Sequence, residues 1–278
     1  MPTFWANHTQ TQREFMQLKV FKALWGDAEG RANSDDFRRI RAAGYDGIEW
    51  AMPETGPETW RAWCEEHQLE YIAMIFADDA ASFAKQLRAA AAYEPVRVTA
   101  HDGRDKMTFD AGCQYWREVL KAEADIGIPV AHETHRHRLL FSPWSTAAYL
   151  NEFPELRLCA DFSHWCCVCE SLLRDMPEWV ELACSRAIHV HGRVGWEESA
   201  QVADPRAPEV QHYVERHEEL WDRIREHHQS AGAATLTFTP EYGPPGYMPA
   251  LPFTRQPITN LWDICLWSAE RIRARWGA

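Results

Sequence analysis

The chain is short of positive charge: its 278 residues hold 29 Lys and Arg against 41 Asp and Glu, for a formal net charge of −12. Phosphate backbones are gripped by clustered Lys and Arg, so this balance argues against a nucleic-acid partner. Long apolar runs are missing as well; none approaches the roughly 20 residues that cross a bilayer. Residues 1–15 lack the basic and apolar regions of a leader, and the expectation is a cytoplasmic protein with no membrane partner. Eight cysteines are too sparse in a chain of this length for a disulfide framework. Cys166, Cys167 and Cys169 have neither the spacing nor the second pair of a structural zinc site, and they read as buried free thiols. Residues 24–34, LWGDAEGRANS, do not form the Gly-rich loop that a dinucleotide-binding fold places after its first strand. No low-complexity linker divides the chain, which reads as a single domain over 1–278.

What is present is alternation. Short apolar runs at 20–25, 46–50, 70–76, 96–101, 129–134, 156–161, 187–192 and 235–241 read as strands. Between them lie longer amphipathic stretches. One is SDDFRRIRAAG, with a Ser cap, an acidic first turn and a closing Gly44. Others are PETWRAWCEEHQ, ASFAKQLRAAAAY, FDAGCQYWREVLKAEADIG and VQHYVERHEELWDRIREHHQSAG, and NLWDICLWSAERIRARWG closes the chain. Eight strands with interleaved helices predict an α/β fold, a single (β/α)8 TIM barrel, with an open doubly wound sheet as the alternative. Fourteen Trp suit a large packed core and a subunit contact, and a homodimer is expected.

In such barrels the chemistry collects where strands end at the C-terminal face. Glu133, Asp161, His191 and Glu241 stand at the ends of four successive candidate strands, and the first three are each about one βα unit, roughly 30 residues, apart. Glu241 follows a longer connection, the loop from Gly192 to Val210. Three converging carboxylates repel one another unless a cation joins them. Oxygen ligands with one imidazole suit Mn²⁺, Mg²⁺, Co²⁺ or Zn²⁺, and the cofactor expected is one such divalent ion. His189 and His191 share a strand face by the period-two rule, so spacing leaves both open as the imidazole ligand. Glu49 and His101 end the second and fourth strands, Lys22 lies in the first with an inward direction open to it, and His135 shares the face of Glu133.

The succession Glu133-Thr-His135-Arg136, Asp161-Phe-Ser-His164, His189-Val-His191 and Pro240-Glu241-Tyr-Gly resembles the xylose isomerase-like TIM-barrel superfamily, which includes ketose 3-epimerases, hydroxypyruvate isomerases, inosose dehydratases and the endonuclease IV branch. The resemblance runs over most of the chain, from GYDGIEW onward, and is most specific at Asp-x-x-His. It implies a metal held by Glu133, Asp161, His191 and Glu241, with Glu133 and Glu241 as acid/base groups on opposite faces of a sugar. It also implies a substrate contact for His164. His101, His135, Arg193 and Glu49 are the further substrate-contact candidates. Ketose epimerases usually carry an acid three residues and an Arg six residues after the metal His; here Val194 and Glu197 stand at those positions and Arg193 is the nearest base.

The chemistry so implied is proton abstraction next to a carbonyl, a metal-bound enediolate, and return of the proton elsewhere. The function expected is a divalent-metal-dependent isomerase or epimerase of a sugar, polyol or related hydroxy-ketone, with a small carbohydrate as partner. A lyase or dehydratase of a keto-sugar or inosose shares the first step. An endonuclease IV-like nuclease would want more ligands and a basic groove, and a non-catalytic carbohydrate-binding protein gives no reason to gather these four side chains.

Overall fold

The computed structural model describes residues 16–27 and 31–277. The segment 1–15 read for a leader lies outside the described residues, as do 28–30 in the loop after the first strand. Eight parallel strands close into a barrel in sequential order. They are β1 (Gln17–Ala23), β2 (Gly47–Ala51), β3 (Glu70–Ala77), β4 (Arg97–Asp102), β5 (Val130–Glu133), β6 (Leu158–Ala160), β7 (Ala187–His191) and β8 (Thr235–Thr239). Each coincides with a strand read from the sequence, and the open-sheet alternative is set aside because β1 pairs with both β2 and β8.

Among the described residues nine α-helices surround the barrel: α1 (Ser34–Ala42), α2 (Pro57–His67), α3 (Ala80–Ala91), α4 (Phe109–Ile126), α5 (Pro143–Glu152), α6 (Phe162–Cys169), α7 (Pro177–Arg186), α8 (Gln211–Ser230) and α9 (Leu261–Trp276). No helix among them is long and apolar enough to cross a membrane. The expected cap of α1 moves by one residue. Asn33 is the N-cap, its side chain taking the Asp35 N–H while Asp36 returns to the Asn33 N–H, which satisfies two of the orphan donors of the first turn. Ser34 is thereby freed to bond His67 Nε2 at 2.8 Å on α2. All eight cysteines are unpaired.

Side chains alternate between the barrel interior and the helix layer, and the alternation decides what each strand contributes. On β1, Ala23 lines the interior cavity. Lys22 points the other way, correcting the inward reading: it is fully buried against the Trp262 ring, 5.4 Å from its centroid, with Asp27 at 3.8 Å. On β5, Glu133 faces inward and its neighbour His132 faces α3 and α4. His132 is enclosed by Trp116 and Phe83, with Nδ1 2.7 Å from Asp102 and Nε2 2.8 Å from Glu123. Tyr115 donates to the other Asp102 oxygen at 2.6 Å.

Burial alone would push the His132 imidazole down, but Asp102 and Glu123 lift it to about 10 from an ordinary 6.5. A raised folded pKa stabilises fully below the unfolded value and the contribution disappears as pH rises through the folded one. Urea midpoints are therefore expected to fall from pH 6.5 toward pH 10. His132→Gln should cost about 3–5 kcal/mol, because it leaves the buried Asp102 and the half-buried Glu123 without their cation, and should flatten that slope. A variant with the wild-type slope would show that the imidazolium does not tie β5 to α4.

Candidate active site

At the C-terminal end of the barrel lies a cavity of about 360 Å³, at the small end of the roughly 300–1,000 Å³ of ligand sites. Its floor is polar and its walls are largely aromatic: Trp25, Trp50, Met74, Phe76 and Tyr247. None of these five was singled out in the sequence. Tyr247 stands beyond β8 with Trp25 beyond β1, their rings 5.1 Å apart edge to face.

The floor brings together the four side chains expected to converge. One ligand atom each from Glu133, Asp161, His191 and Glu241 lies within 4.8 Å of the others. Glu133 ends β5 and His191 ends β7, whereas Asp161 and Glu241 stand just past β6 and β8. Asp161 is also the N-cap of α6, where one oxygen accepts the Ser163 N–H at 3.0 Å and the Ser163 hydroxyl. Its other oxygen is 3.1 Å from Arg193 Nε, and Arg193 reaches Glu241 at 2.6 Å. The loop after β7 can press this guanidinium onto Asp161 because Gly195 packs against Ser163. A Cβ on Gly195 would stand 2.8 Å from the Ser163 backbone oxygen, and the Gly195 N–H is held by His217 Nε2 at 3.3 Å.

The donor set answers which imidazole faces the cluster. His189 has both nitrogens occupied: Nδ1 meets the Thr237 hydroxyl at 2.8 Å and Nε2 meets Glu49 at 3.1 Å. His191 engages Glu49 through Nε2 at 3.0 Å, while its Nδ1 lies 3.3 Å from Glu133 and 3.1 Å from Glu241 without hydrogen-bond geometry to either. His191 Nδ1, Glu133 Oε2 and Glu241 Oε2 are buried and make no hydrogen bond of good geometry, although Glu133 Oε2 touches His101 Nε2. Unpaired buried polar atoms are costly, and several converging ones with mixed N and O character form the ligand set a divalent cation takes. The residues therefore fit the expected ion. The local field agrees. Burial would push His191 down, yet Cys159, Glu49, Glu241 and Glu133 hold it well above the ordinary value, so positive charge is favoured at this point. Burial would likewise raise Glu133 and Glu241, but His101 and His191 hold the first down and Arg193 and His191 the second. Burial pushes Asp161 upward against the pull of Arg193.

The expected substrate contacts separate into two groups. His101, His135 and Arg193 line the cavity. His101 Nε2 touches Glu133, the His101 and His135 rings are 4.7 Å apart, and His135 lies 3.8 Å from the His164 ring. His164 is fully buried with both nitrogens unpartnered, and burial drives it well below its ordinary value. Glu49 differs: it touches the cavity floor, but its oxygens are already engaged by His189, His191, Thr99 and Thr239. It therefore lines the cavity with both oxygens already partnered within the barrel. Thr99 and Thr239, missed in the sequence, stand two residues before His101 and Glu241 on the same inward face, which is the signal that could have found them.

The long connection after β7 is stitched to this chain's own segment after β8. Gln201 bonds the Gly243 backbone in both directions, and Asp204 accepts from Thr259 at 3.2 Å.

The sequence profile of the family described as xylose isomerase-like TIM barrel matches residues 37–220. No curated protein sequence matches the chain. Among solved structures, a sugar phosphate isomerase/epimerase from Parabacteroides distasonis is similar in fold, with a TM-score of 0.61 and 10% identity over 99% of this chain and 98% of that one. The probable 3-DHS dehydratase AsbF from Bacillus anthracis gives 0.60 and 14% identity over 91% and 98% of the two chains. Endonuclease IV from Thermus thermophilus gives 0.56 and 15% over 93% and 98%.

Proposed function

The chain belongs to the xylose isomerase-like TIM barrel family, and from that premise we propose that it is a divalent-metal-dependent isomerase or epimerase of a sugar, polyol or related hydroxy-ketone. The observation that carries this reading is the meeting of Glu133, Asp161, His191 and Glu241 at the floor of a small, aromatic-walled cavity. A divalent cation bound there would polarise the carbonyl of a hydroxy-ketone and acidify the neighbouring C–H. The chain's own groups do the rest. Glu133 and Glu241 are both held ionised by their cationic neighbours, so either can take the proton and leave an enediolate, and the other can return it from a different side. Arg193 anchors Asp161 and Glu241 in place. His101 and His135 line the cavity to meet the substrate hydroxyls, His164 stands behind His135, and the aromatic walls exclude water from the intermediate. The size of the cavity suits a single sugar, and with the net charge of −12 it favours a small molecule over a nucleic acid.

The test is turnover of a panel of ketoses with Mn²⁺ in D₂O. Deuterium is expected at the carbon next to the carbonyl, in product or recovered substrate. Turnover without any solvent deuterium at every pH tried would point to internal transfer or a hydride shift and overturn the mechanism. A product lighter by one water would place the protein with the dehydratases, whose first step is the same.

We also read the protein as a homodimer. Trp144 and Trp179, an exposed aromatic pair 6.2 Å apart where α5 and α7 begin, are the surface offered for it. Sedimentation at micromolar concentration showing monomer alone would remove this reading.

A further inference from the structure

The polar network beneath the cavity has more organisation than a metal cluster requires. Glu49, at the inward face of β2, is fully buried, a position in which a carboxylate survives only with several partners. It has four. Thr99 from β4 donates to one oxygen at 2.5 Å and Thr239 from β8 donates to the other. His189 and His191 from β7 approach through Nε2 at 3.1 and 3.0 Å. An ionised carboxylate has no proton to give, so both imidazoles must donate from Nε2. For His189 the other nitrogen, Nδ1, is engaged as well, lying 2.8 Å from the Thr237 hydroxyl and 3.1 Å from the Thr237 carbonyl. For His191 it leaves Nδ1 facing Glu133 at 3.3 Å and Glu241 at 3.1 Å without hydrogen-bond geometry to either.

We infer that Glu49 is a positioning residue for His191, whose carboxylate fixes the imidazole as the Nε2–H tautomer and so reserves Nδ1 for a divalent cation. The inference rests on the metal reading above and goes beyond it. It states which nitrogen binds and which strand imposes the choice, and it explains why two histidines on one strand face have different tasks. Carboxylates that accept the second N–H of a ligating histidine orient the ring and raise its basicity, and their loss typically lowers metal affinity about 10–100-fold. Thr99 and Thr239 belong to the same device, since they satisfy the lone pairs of Glu49 that the imidazoles leave over.

The test uses the full chain and metal alone. Calorimetric titration with Mn²⁺ should give one site for the wild type, and a dissociation constant weaker by about 10–100-fold for Glu49→Gln, a close match in shape. Two-bond ¹H–¹⁵N correlation spectra of the Zn²⁺-loaded, histidine-labelled protein should show His191 carrying its proton on Nε2, with Nδ1 bound. Glu49→Gln should lose that uniform tautomer. A folded Glu49→Gln with the wild-type Mn²⁺ affinity would overturn the inference while leaving the metal site standing. Zn²⁺ bound through Nε2 in the wild type would overturn it even if Glu49→Gln failed to fold. A wild type that takes up neither ion would remove the metal reading and this inference together.

Discussion

Asp161→Asn should leave a folded protein that retains no stoichiometric divalent metal after dialysis, where the wild type retains one ion per chain. Asp161 contributes to three things at once: the acidic cluster, the cap of α6 and the pair with Arg193. Asn is the informative substitution because it separates them. Its carbonyl oxygen still accepts the Ser163 N–H, and Asn is as good an N-cap as Asp. The charge is lost, however, and with it the anionic oxygen that a hard divalent ion prefers. Alanine would remove the cap as well, costing about 0.5–2 kcal/mol, and would leave Arg193 with Glu241 alone in a fully buried position. Metal content by elemental analysis, read beside the urea midpoint, keeps the two effects apart. Unchanged metal content in a folded Asp161→Asn would exclude Asp161 as a ligand and leave it to the cap of α6 and the ion pair with Arg193.

The barrel was legible because its evidence in the sequence is repetitive. Most strands are apolar runs with a costly polar residue at or near their end, and each of the long outer helices has a clear amphipathic face. Helices α5 and α6 escaped the reading for a physical reason. Phe162, Ser163, His164, Trp165 and Cys166 of α6 are all buried, so no polar stripe marks a period of 3.6 residues, and α5 likewise buries five of its side chains, from Pro143 to Leu150. The floor of the site was legible for a similar reason. Glu, Asp and His are expensive to bury, so their recurrence at strand ends is a signal even without coordinates. The walls were not. Trp25, Trp50, Phe76 and Tyr247 are indistinguishable in sequence from core aromatics such as Trp60 and Trp116, which are fully buried behind the barrel. Glu49 shows what a sequence cannot display: its position at a strand end is visible, but its partners come from three other strands, and only closure of the barrel reveals that they engage both its oxygens.

Glu133→Gln and Glu241→Gln should each lower kcat by about 10²–10⁴, the range for removing a general acid or base, with a smaller change in substrate affinity. Gln keeps the length of the side chain and one oxygen while abolishing proton transfer at that position. The two variants should nevertheless differ. At Glu133 the lost charge faces His101 and His191. At Glu241 it faces His191 and Arg193, and Arg193 keeps Asp161 as a partner. Each change removes one anionic ligand candidate, so metal content must be measured for both, and kcat compared at saturating Mn²⁺. The decisive readout is partial chemistry. If the two carboxylates serve as separate base and acid, one variant should still exchange the substrate proton for solvent deuterium while forming no product, because removal survives when return fails. The other should do neither. Loss of both exchange and turnover in only one variant, with full activity in its counterpart, would reduce the pair to a single acid–base group acting on one face. Full activity in both, with metal retained, would exclude these glutamates from the proton transfers altogether.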